Sequence, residues 1–430
     1  MKRPCALWRA AAHPAAIVGS MMRVPLPDVA IGETCLLQAA ANDDRIVGEG
    51  TVVAVDHGMA SIGLLRDSAG LSPACLVVPS GRPATVALSL ALLGSVLDAQ
   101  GNEVERLAPA RTSAGTRRPL QGNALDYRQR RDIDTPLCTG IRAIDGLLTC
   151  GEGQRVGIFA GAGAGKTTLS EMLLDNADVD VAVVALVGER GREVTALVER
   201  LRRSPGAGRT VVVQATSDTA PALRAQAPLV ATTIAEYFRD AGARVLLVMD
   251  SVTRYARALR ELALGAGEPP ARRGFPASVF EALPRLMERG GCVGNGSITA
   301  FFTVLLEDEQ DVDPIGDEVK SLLDGHLYLS SKLAARGHYP SLDILRSGSR
   351  LFARLVDASH QQAASQLRGV LGTLDDLQLM RDLGEYKPGI NANYDAALEA
   401  EPRLMAFLRQ DLRDYSSMER TREALHGLVG

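Results

Sequence analysis

A glycine-rich segment between an apolar run and a helical stretch places the strongest constraint on the fold of this chain. The apolar run VGIFA leads directly into GAGAGK, and TTLSEML follows with the composition of a helix. Glycines allow successive backbone N–H groups to turn toward one anion, and the N-terminus of a helix adds partial positive charge. The order of strand, loop and helix therefore predicts a phosphate-binding loop within an α/β sheet.

The loop residues have separate predicted roles in nucleotide binding. We expect the ammonium of Lys166 to reach the β- and γ-phosphates of ATP, and the hydroxyl of Thr167 to bind Mg²⁺. The strict pattern begins with glycine where this chain has Ala160, but the later glycines and the Gly-Lys-Thr ending are intact. A chance glycine-rich turn is the alternative, and the flanking strand and helix count against it. The predicted nucleotide-binding residues of the loop are Ala160, Gly161, Ala162, Gly163, Ala164, Gly165, Lys166, Thr167 and Thr168.

Five continuous apolar runs indicate that residues 136–355 form a parallel α/β domain. Strands that are buried on both faces, as in a sheet covered by helices, have this pattern. Helical stretches at 167–175 and 190–203 lie between the runs. The runs are VGIFAG, VAVVALVGE, TVVVQAT, RVLLVMD and ITAFFTVL.

The N-terminal part of the chain has a different pattern. Residues 26–105 contain short apolar runs separated by Gly, Pro, Asn and Asp, which predicts a small β-barrel or sandwich. Residues 106–135 are rich in Arg, Pro and Gly and are expected to form a linker. Residues 1–25 carry four basic side chains and no acid, which predicts a basic arm. This arm is either a disordered tail or a contact for a neighbouring subunit or an anionic membrane surface. Translation starting at Met21 or Met22 is a third alternative.

The C-terminal region, residues 356–430, is predicted to be a helical domain because strand signals vanish there. Helices are expected at 357–383 and 394–427. The tripeptide Lys387-Pro388-Gly389 is expected to break the chain between them, since proline and glycine both interrupt helices.

The composition argues against several classes of protein. The net charge of −4, from 47 Lys and Arg against 51 Asp and Glu, is unusual for a strong nucleic-acid binder. The six cysteines are scattered without a CxxC pair, which indicates free thiols in a reducing compartment rather than a zinc site. No apolar run approaches the roughly 20 residues of a membrane-spanning helix. Arg9 and His13 interrupt the apolar start, unlike a signal peptide, so we expect a cytoplasmic protein.

Two acidic residues follow buried strands on the side where the phosphate loop is expected. The run RVLLVMD ends in Asp250, which is expected to orient Mg²⁺ through water. The run VAVVALVGE ends in Glu189, a candidate for polarising the attacking water. A solvated acid in a charged turn is the alternative for Glu189, and spacing does not decide between the two. Arg350 is a candidate for stabilising γ-phosphate charge from a neighbouring subunit, although spacing alone does not distinguish it from other arginines.

Several long segments closely resemble the type III secretion ATPases. They include TGIRAIDGLLTCGEGQRVGIFAGAGAGKTTL, LVGERGREV, DSVTRYARALRELALGAGEPPARRGFPASVFEALPRLMERGG and GEYKPG. The resemblance covers roughly residues 90–410 and extends more loosely into the N-terminal region, where NEVERL departs from the Pro-Leu-Asp-Gly of the family. DEVKSLLDGHLYLS and ARRGFP resemble the virulence injectisomes more than flagellar export, and the LEDEQ…DP stretch resembles the Inv–Mxi–Spa branch.

This family is similar to the flagellar export ATPase and to the catalytic subunits of rotary F- and V-type ATPases. The resemblance implies an N-terminal β-barrel, a RecA-like P-loop ATPase core with a parallel sheet, a helical C-terminal domain and a homohexameric ring. It also implies that Glu189 is the catalytic carboxylate, with Arg190 as the basic residue beside it. Asp250 matches the acid on the Mg²⁺ side, and Arg350 matches the arginine inserted into the next subunit's site. Tyr339 matches the aromatic residue that lies against adenine.

The implied function is ATP hydrolysis by a ring-shaped motor that energises type III protein export, through chaperone release and effector unfolding. The implied partners are a central stalk, peripheral stator proteins, the export gate and chaperone–effector complexes, with no nucleic acid. The implied location is the inner-membrane base of the secretion apparatus, which allows peripheral membrane association. The resemblance also favours a pore loop in ARRGFP, for which an ordinary basic turn is the alternative. The residues of the expected pore loop are Arg272, Arg273, Gly274 and Phe275.

Two other functions compete with protein export as interpretations of the sequence. A hexameric nucleic-acid translocase similar to Rho would need aromatic residues for base stacking in its N-terminal barrel. This chain has one Trp, at position 8, and no Phe or Tyr before Tyr127. A subunit of a proton-coupled synthase would carry an acidic DELSEED-like segment, which the C-terminal region lacks.

Overall fold

The computed structural model describes residues 11–122, 126–306, 313–389 and 391–429. An antiparallel sheet comes first, a large and mainly parallel sheet with helices on both faces follows, and helices complete the chain. This α/β architecture with a strand-rich N-terminal region confirms the predicted fold class.

The N-terminal sheet has six antiparallel strands in the order β1-β2-β5-β4-β3-β6. Ala12 exchanges two backbone hydrogen bonds with Val77 of the last strand, which joins the two edges of the sheet into a small barrel. Its interior is a separate apolar cluster that includes Met22, Leu37 and Ile62. The strands are β1 (Ala16–Val18), β2 (Met21–Pro25), β3 (Glu33–Ala40), β4 (Asp43–Asp56), β5 (Met59–Leu64) and β6 (Leu76–Pro83).

The structure corrects the boundary of the predicted basic arm. Residues 16–25 form β1 and β2, and β2 pairs along its length with β5. Met22 and Val24 alternate with the exposed Arg23, which is the period of a half-buried strand. The arm prediction is therefore wrong for this part of the chain, and residues 1–10 lie outside the described residues.

The region predicted to be the end of the barrel and a linker is more structured than expected. Among its strands, β8 pairs in parallel with a core strand, and β10 pairs with β7. The barrel therefore ends before residue 95. Strands β8, β9 and β11 extend the core sheet, whereas β7 and β10 form a separate two-stranded sheet. These strands are β7 (Thr85–Leu88), β8 (Ser95–Leu97), β9 (Glu103–Arg106), β10 (Thr116–Pro119) and β11 (Arg130–Arg131).

The core sheet has the main strand order β19-β18-β12-β17-β15-β13-β14-β8-β9. All five predicted apolar runs are strands of this sheet, and β18 is an additional short strand beside β12. The core strands are β12 (Arg155–Ala160), β13 (Val181–Glu189), β14 (Thr210–Thr216), β15 (Arg244–Asp250), β16 (Gly291–Val293), β17 (Gly296–Leu305), β18 (Gly325–Leu329) and β19 (Gly348–Ser349).

Helices cover both faces of this sheet. Alternate residues of β13 point to opposite sides, so that Val183 belongs to one apolar cluster and Val184 to the other. Helices α4 to α7 pack on the first face, and α1 to α3 pack on the second. The core helices are α1 (Arg142–Leu147), α2 (Lys166–Asn176), α3 (Gly191–Arg202), α4 (Pro221–Asp240), α5 (Val252–Gly265), α6 (Ala277–Met287), α7 (Pro314–Leu322), α8 (Ser331–Ala335) and α9 (Phe352–Leu355).

The C-terminal helices pack on the second face beside α1. They are α10 (Ala358–Asp382), α11 (Ala392–Leu408) and α12 (Met418–Val429). The predicted break at Lys387-Pro388-Gly389 lies between α10 and α11. A second break at residues 409–417 divides the predicted helix 394–427, and there Gln410 donates a hydrogen bond to the carbonyl of Gly140 in the core. In the described part of the chain, no helix is both long enough and apolar enough to cross a membrane.

Candidate active site

Three functional segments meet at the carboxyl ends of the parallel strands. The phosphate loop follows β12, Asp250 ends β15 and Glu189 ends β13. Parallel strands that leave a sheet on the same side bring their following residues to one edge, where ligands bind in open α/β sheets. The structure therefore brings together the loop and both acids that the sequence singled out.

The phosphate loop is shaped by glycines with positive φ angles. Gly163 has a φ of 73° and Gly165 a φ of 86°, both in the left-handed region that side chains disfavour. A Cβ atom on Gly165 would lie 2.9 Å from the hydroxyl of Ser341, so that position has no room for a side chain. Helix α2 begins at Lys166, and the N–H groups of its first turn have no acceptor within the helix. The loop thus has the geometry of an anion site.

The ammonium of Lys166 lies between the two acids. Its Nζ is 2.5 Å from Oδ1 of Asp250 and 3.1 Å from Oε1 of Glu189. Burial by itself lowers the pKa of Lys166, but the negative charges of Asp250 and Glu189 outweigh burial and leave that pKa above its ordinary value. The lysine is therefore charged and is held at the point where the three segments meet.

Strand β17 lies between β12 and β15 in the sheet and holds the side chain of Asp250 in place. The hydroxyl of Thr303 in β17 donates to Oδ1 of Asp250 at 2.7 Å, and only 7% of Asp250 is exposed. Thr167, Glu189 and Asp250 line the same cavity beside α2. A hydroxyl and carboxylates are the oxygen ligands that Mg²⁺ prefers, directly or through water. This donor set fits a magnesium ion that arrives with a nucleotide.

Glu189 is a buried acid with a perturbed proton affinity. Only 3% of it is exposed, and Nη2 of Arg254 lies 3.2 Å from its Oε2. Arg254 also donates to the carbonyl of Gly188, so it fixes both the side chain and the preceding backbone. Burial, followed by the negative charge of Asp250, raises the pKa of Glu189 to about 7. A pKa near neutrality suits a group that accepts a proton from water.

Arg190 and Tyr339 have different relations to this centre. The side chain of Arg190 is 72% exposed and lies 3.5 Å from Glu193, so it points away from Lys166 toward the surface. Tyr339 is 38% exposed, and its ring lies beside the phosphate loop, with Cε1 3.3 Å from the position that a Cβ atom on Gly165 would take. An exposed aromatic ring beside the loop is available to stack on a nucleobase.

Arg350 lies far from the phosphate loop of its own chain. It follows β19, which pairs with the start of β18 at Gly325, and Gly325 is paired with Val156 at the start of β12. The phosphate loop follows the other end of β12, roughly 15 Å along the strand at about 3.3 Å per residue. Arg350 is exposed, and no carboxylate among the described residues pairs with its guanidinium. The two predicted groups are thus not brought together within one chain.

The expected pore loop is a tight turn with an anchored end. Arg273 and Gly274 have positive φ angles of 48° and 81°, and the N–H of Phe275 donates to the carbonyl of Arg272 at 3.1 Å. Phe275 is only 7% exposed, and the guanidinium of Arg260 lies over its ring. Phe275 therefore packs against the core, whereas both arginines are exposed at the tip.

Three residues of the site were not predicted from the sequence. Arg254, Thr303 and Ser341 hold Glu189, Asp250 and the phosphate loop, respectively. Thr303 and Ser341 come from segments distant in the sequence, so no local spacing relates them to the loop. Arg254 follows Asp250 by four residues at the start of α5, and that proximity was the available signal.

Comparison with protein-family models gives two matches. Residues 140–349 match the nucleotide-binding domain of the ATP synthase alpha/beta family. Residues 356–427 match the C-terminal domain of the T3SS EscN ATPase. The boundary between the two matches falls where the core ends and α10 begins.

Relatives of known name align with nearly the whole chain. The SPI-1 type 3 secretion system ATPase of Salmonella typhi is 47% identical over 429 residues, which are 100% of this chain and 99% of that protein. The type 3 secretion system ATPase of Xanthomonas euvesicatoria is 45% identical, over 95% of this chain and 92% of that protein. The flagellum-specific ATP synthase of Bacillus subtilis is 37% identical, over 96% and 94%.

Solved structures agree with this architecture. The assembled ATPase EscN from the type III secretion system of enteropathogenic E. coli has a TM-score of 0.90 and 40% identity, covering 97% of this chain and 100% of that one. EscN in complex with its central stalk EscO has a TM-score of 0.86 and 39% identity, with the same coverage.

Proposed function

This chain belongs to the type III secretion ATPases, and we propose on that basis that its nucleotide site is completed by a neighbouring subunit in a homohexameric ring. The chain is an ATP hydrolase that serves type III protein export. The observation that carries the proposal is the separation of Arg350 from Lys166 at opposite ends of the core strands. A site that needs both groups requires two chains.

Within the site, Lys166 and Glu189 carry the main chemical roles. The Lys166 ammonium leaves the carboxylates for the β- and γ-phosphates when nucleotide binds, because a phosphate offers more negative charge at the loop. Glu189 then orients the attacking water and accepts its proton, while Arg254 fixes the carboxylate. Thr167, and Asp250 through water, would hold Mg²⁺, which would supply charge neutralisation at the phosphate oxygens. Tyr339 stacks on adenine. Arg190 is the basic residue beside Glu189 and lies at the exposed rim of the site.

The neighbouring subunit supplies Arg350. Charge spreads over the γ-phosphate oxygens during phosphoryl transfer, and an arginine from another chain stabilises it. An exposed arginine, unpaired within the described residues, is suited to that role because no internal ion pair must break. The assembled state of EscN supports the assembly of this chain into a ring.

Other partners follow from membership in the family. The complex of EscN with its central stalk supports a stalk partner here. We propose peripheral stator proteins, the export gate and chaperone–effector complexes as further partners, with the ring at the inner-membrane base. Arg272 and Arg273 at the tip of their turn would grip the stalk or a passing polypeptide, with Phe275 as the buried anchor. We also propose that the chain belongs to the Inv–Mxi–Spa branch, on the resemblance of its LEDEQ…DP stretch.

The rate of ATP hydrolysis against protein concentration tests the ring. We expect the specific activity to rise with concentration, in parallel with the mass of the particle. Replacing Glu189 with Gln should leave nucleotide binding within a few-fold and lower turnover by about 10²- to 10⁴-fold, the range for a general base. Specific activity independent of concentration would contradict the shared site, and wild-type turnover in Glu189→Gln would contradict the catalytic assignment. Tight binding of RNA that stimulates ATP hydrolysis would instead favour a Rho-like translocase.

A further inference from the structure

The turn that carries Arg350 is tied to the base of the strand that carries the phosphate loop. The backbone N–H of Arg350 donates to the carbonyl of Asp324 at 2.9 Å. That same carbonyl accepts a second hydrogen bond, at 3.1 Å, from Nε2 of Gln154, the residue immediately before β12. A carbonyl oxygen has two lone pairs, so both are used. The backbone at Arg350 and the start of β12 thus share one acceptor.

Gln154 also holds the residue before Arg350. Its Nε2 donates to the hydroxyl of Ser349 at 3.1 Å, and its Oε1 accepts from the N–H of Gly151 at 2.8 Å. The glutamine is 0% exposed. A buried amide with both ends bonded has one fixed orientation, because any rotation would leave a polar atom without a partner. Gln154 is therefore a rigid support beneath Ser349 and Arg350.

The side chain of Asp324 extends the support to other elements. Nε of Arg155 lies 3.1 Å from Oδ2 of Asp324, and Arg155 also pairs with Glu288 just beyond α6. Arg130 of β11 closes the network, with Nη2 2.7 Å from Oε2 of Glu288. Arg155 contacts the carboxylate of Asp324 directly and is itself held by Glu288, so the carbonyl of Asp324 is a fixed point for the Arg350 turn.

We propose that Gln154, acting through Ser349 and the carbonyl of Asp324, is a positioning residue that aims Arg350 at the nucleotide of the neighbouring subunit. The proposal rests on the function proposed above for Arg350. Gln154 touches no nucleotide, because it lies at the end of β12 opposite the phosphate loop. Gln154 instead determines the direction in which the exposed guanidinium of Arg350 projects from the surface.

The loss of this support should lower turnover and leave nucleotide binding unchanged. A displacement of about 1 Å in a group that stabilises a transition state can cost on the order of 10²-fold in rate. Removing one of several bonds to the turn should displace it by less, so we expect a reduction in kcat of about 10-fold for the assembled enzyme. KM for ATP should stay within a factor of about two, since the phosphate loop is untouched.

The test combines two variants of the support with Arg350→Ala. Ser349→Ala removes a hydroxyl at a half-buried position and should preserve folding. Gln154→Met keeps the volume of the side chain and removes all three of its hydrogen bonds. Ser359→Ala is a matched control, because its hydroxyl makes one hydrogen bond, to Asp357, at the start of α10. Each is measured for thermal unfolding, nucleotide binding and ATPase rate over a range of protein concentrations.

We expect Ser349→Ala and Gln154→Met to lose the activity gained on assembly, and Ser359→Ala to keep it. In the Arg350→Ala background, either support variant should cause no further loss, because there is no guanidinium left to aim. The positioning role would be overturned if a support variant lowered the activity of Arg350→Ala by the same factor as it lowers the wild-type activity. Full activity in Ser349→Ala and Gln154→Met would also overturn it. Both results would leave the role of Arg350 intact. Full assembly-dependent activity in Arg350→Ala would overturn both proposals, and that single variant distinguishes the two failures.

Discussion

The surroundings of Glu189 determine the pKa of its carboxyl group and therefore its ability to accept a proton. It lies beside a second acid, a lysine and an arginine in a buried position. Burial favours the neutral form of a carboxyl group, and the charge of Asp250 acts in the same direction. Lys166 and Arg254 oppose both effects. The outcome, a pKa of about 7, keeps the group able to accept a proton at neutral pH.

This pKa leads to a prediction for the pH dependence of hydrolysis. The carboxylate is the form that accepts a proton, and the pKa of Glu189 is raised to about 7. Accordingly kcat/KM, which reports on the free enzyme, should fall about tenfold per pH unit well below pH 7 and level off above it. Glu193→Gln replaces an acidic hydrogen-bond partner that raises this pKa with a neutral amide, so the midpoint should move to lower pH. A wild-type profile that is flat between pH 5 and 8 would contradict the prediction.

Some residues of the site could be predicted from the sequence and others could not. Lys166 and Thr167 lie within one continuous pattern, and Asp250 ends an apolar run, so local order was enough to identify them. Arg254 and Ser341 act through contacts that arise only when separate segments fold together. Their positions depend on the tertiary structure, which residue spacing does not contain.

At the scale of elements, continuous apolar runs were a reliable signal and boundaries were not. Runs such as β13 are buried at every position, which has few interpretations other than a central strand. Strand β8 has three residues and was assigned to the barrel, yet it extends the core sheet through β14. A short strand carries too little pattern to indicate which sheet it joins, because strand pairing is decided by distant residues.

Arg289 is the clearest example of one side chain that joins several elements. It is 1% exposed, follows α6, and donates to Glu236 and Thr233 of α4 and to the carbonyl of Leu120. Replacing Arg289 with Met would leave the carboxylate of Glu236 without its partner. We expect a loss of about 3–5 kcal/mol in the free energy of unfolding, measured by urea denaturation.

The control for Arg289→Met is the double variant that also carries Glu236→Gln. Removing both charges leaves no buried ion without a partner, so the double variant should recover part of the loss. A double variant no more stable than Arg289→Met alone would show that the pairing of charges is not the reason for the loss.

At the scale of the whole molecule, the proposed function gives each chain two different half-sites. The phosphate loop lies at the carboxyl end of β12, and the Arg350 turn lies near its amino end. Two variants, each without the activity gained on assembly, should therefore complement each other when mixed. An interface between the loop of an Arg350→Ala chain and the arginine of a Lys166→Ala chain contains every group required.

When equal amounts of the two variants mix at random, each side of an interface holds either variant with equal chance. About one interface in four therefore joins the loop of an Arg350→Ala chain to the arginine of a Lys166→Ala chain. We expect the mixture to regain up to about a quarter of the wild-type ATPase rate, measured after dissociation and reassembly. Each variant alone should show no gain in activity under the same treatment. A mixture as inactive as its parts would indicate that both groups serve the same chain.

The position of the Arg350 turn also has a consequence for inheritance. In the proposed ring, a chain without this arginine still enters the assembly and keeps its own loop, but it disables the site of its neighbour. A cell that expresses such a copy beside a normal one would build mixed rings in which the normal copies are impaired. Deletion of one of the two gene copies would instead leave fewer but intact rings. Substitution at Arg350 should thus behave genetically as dominant, and deletion of the gene as recessive.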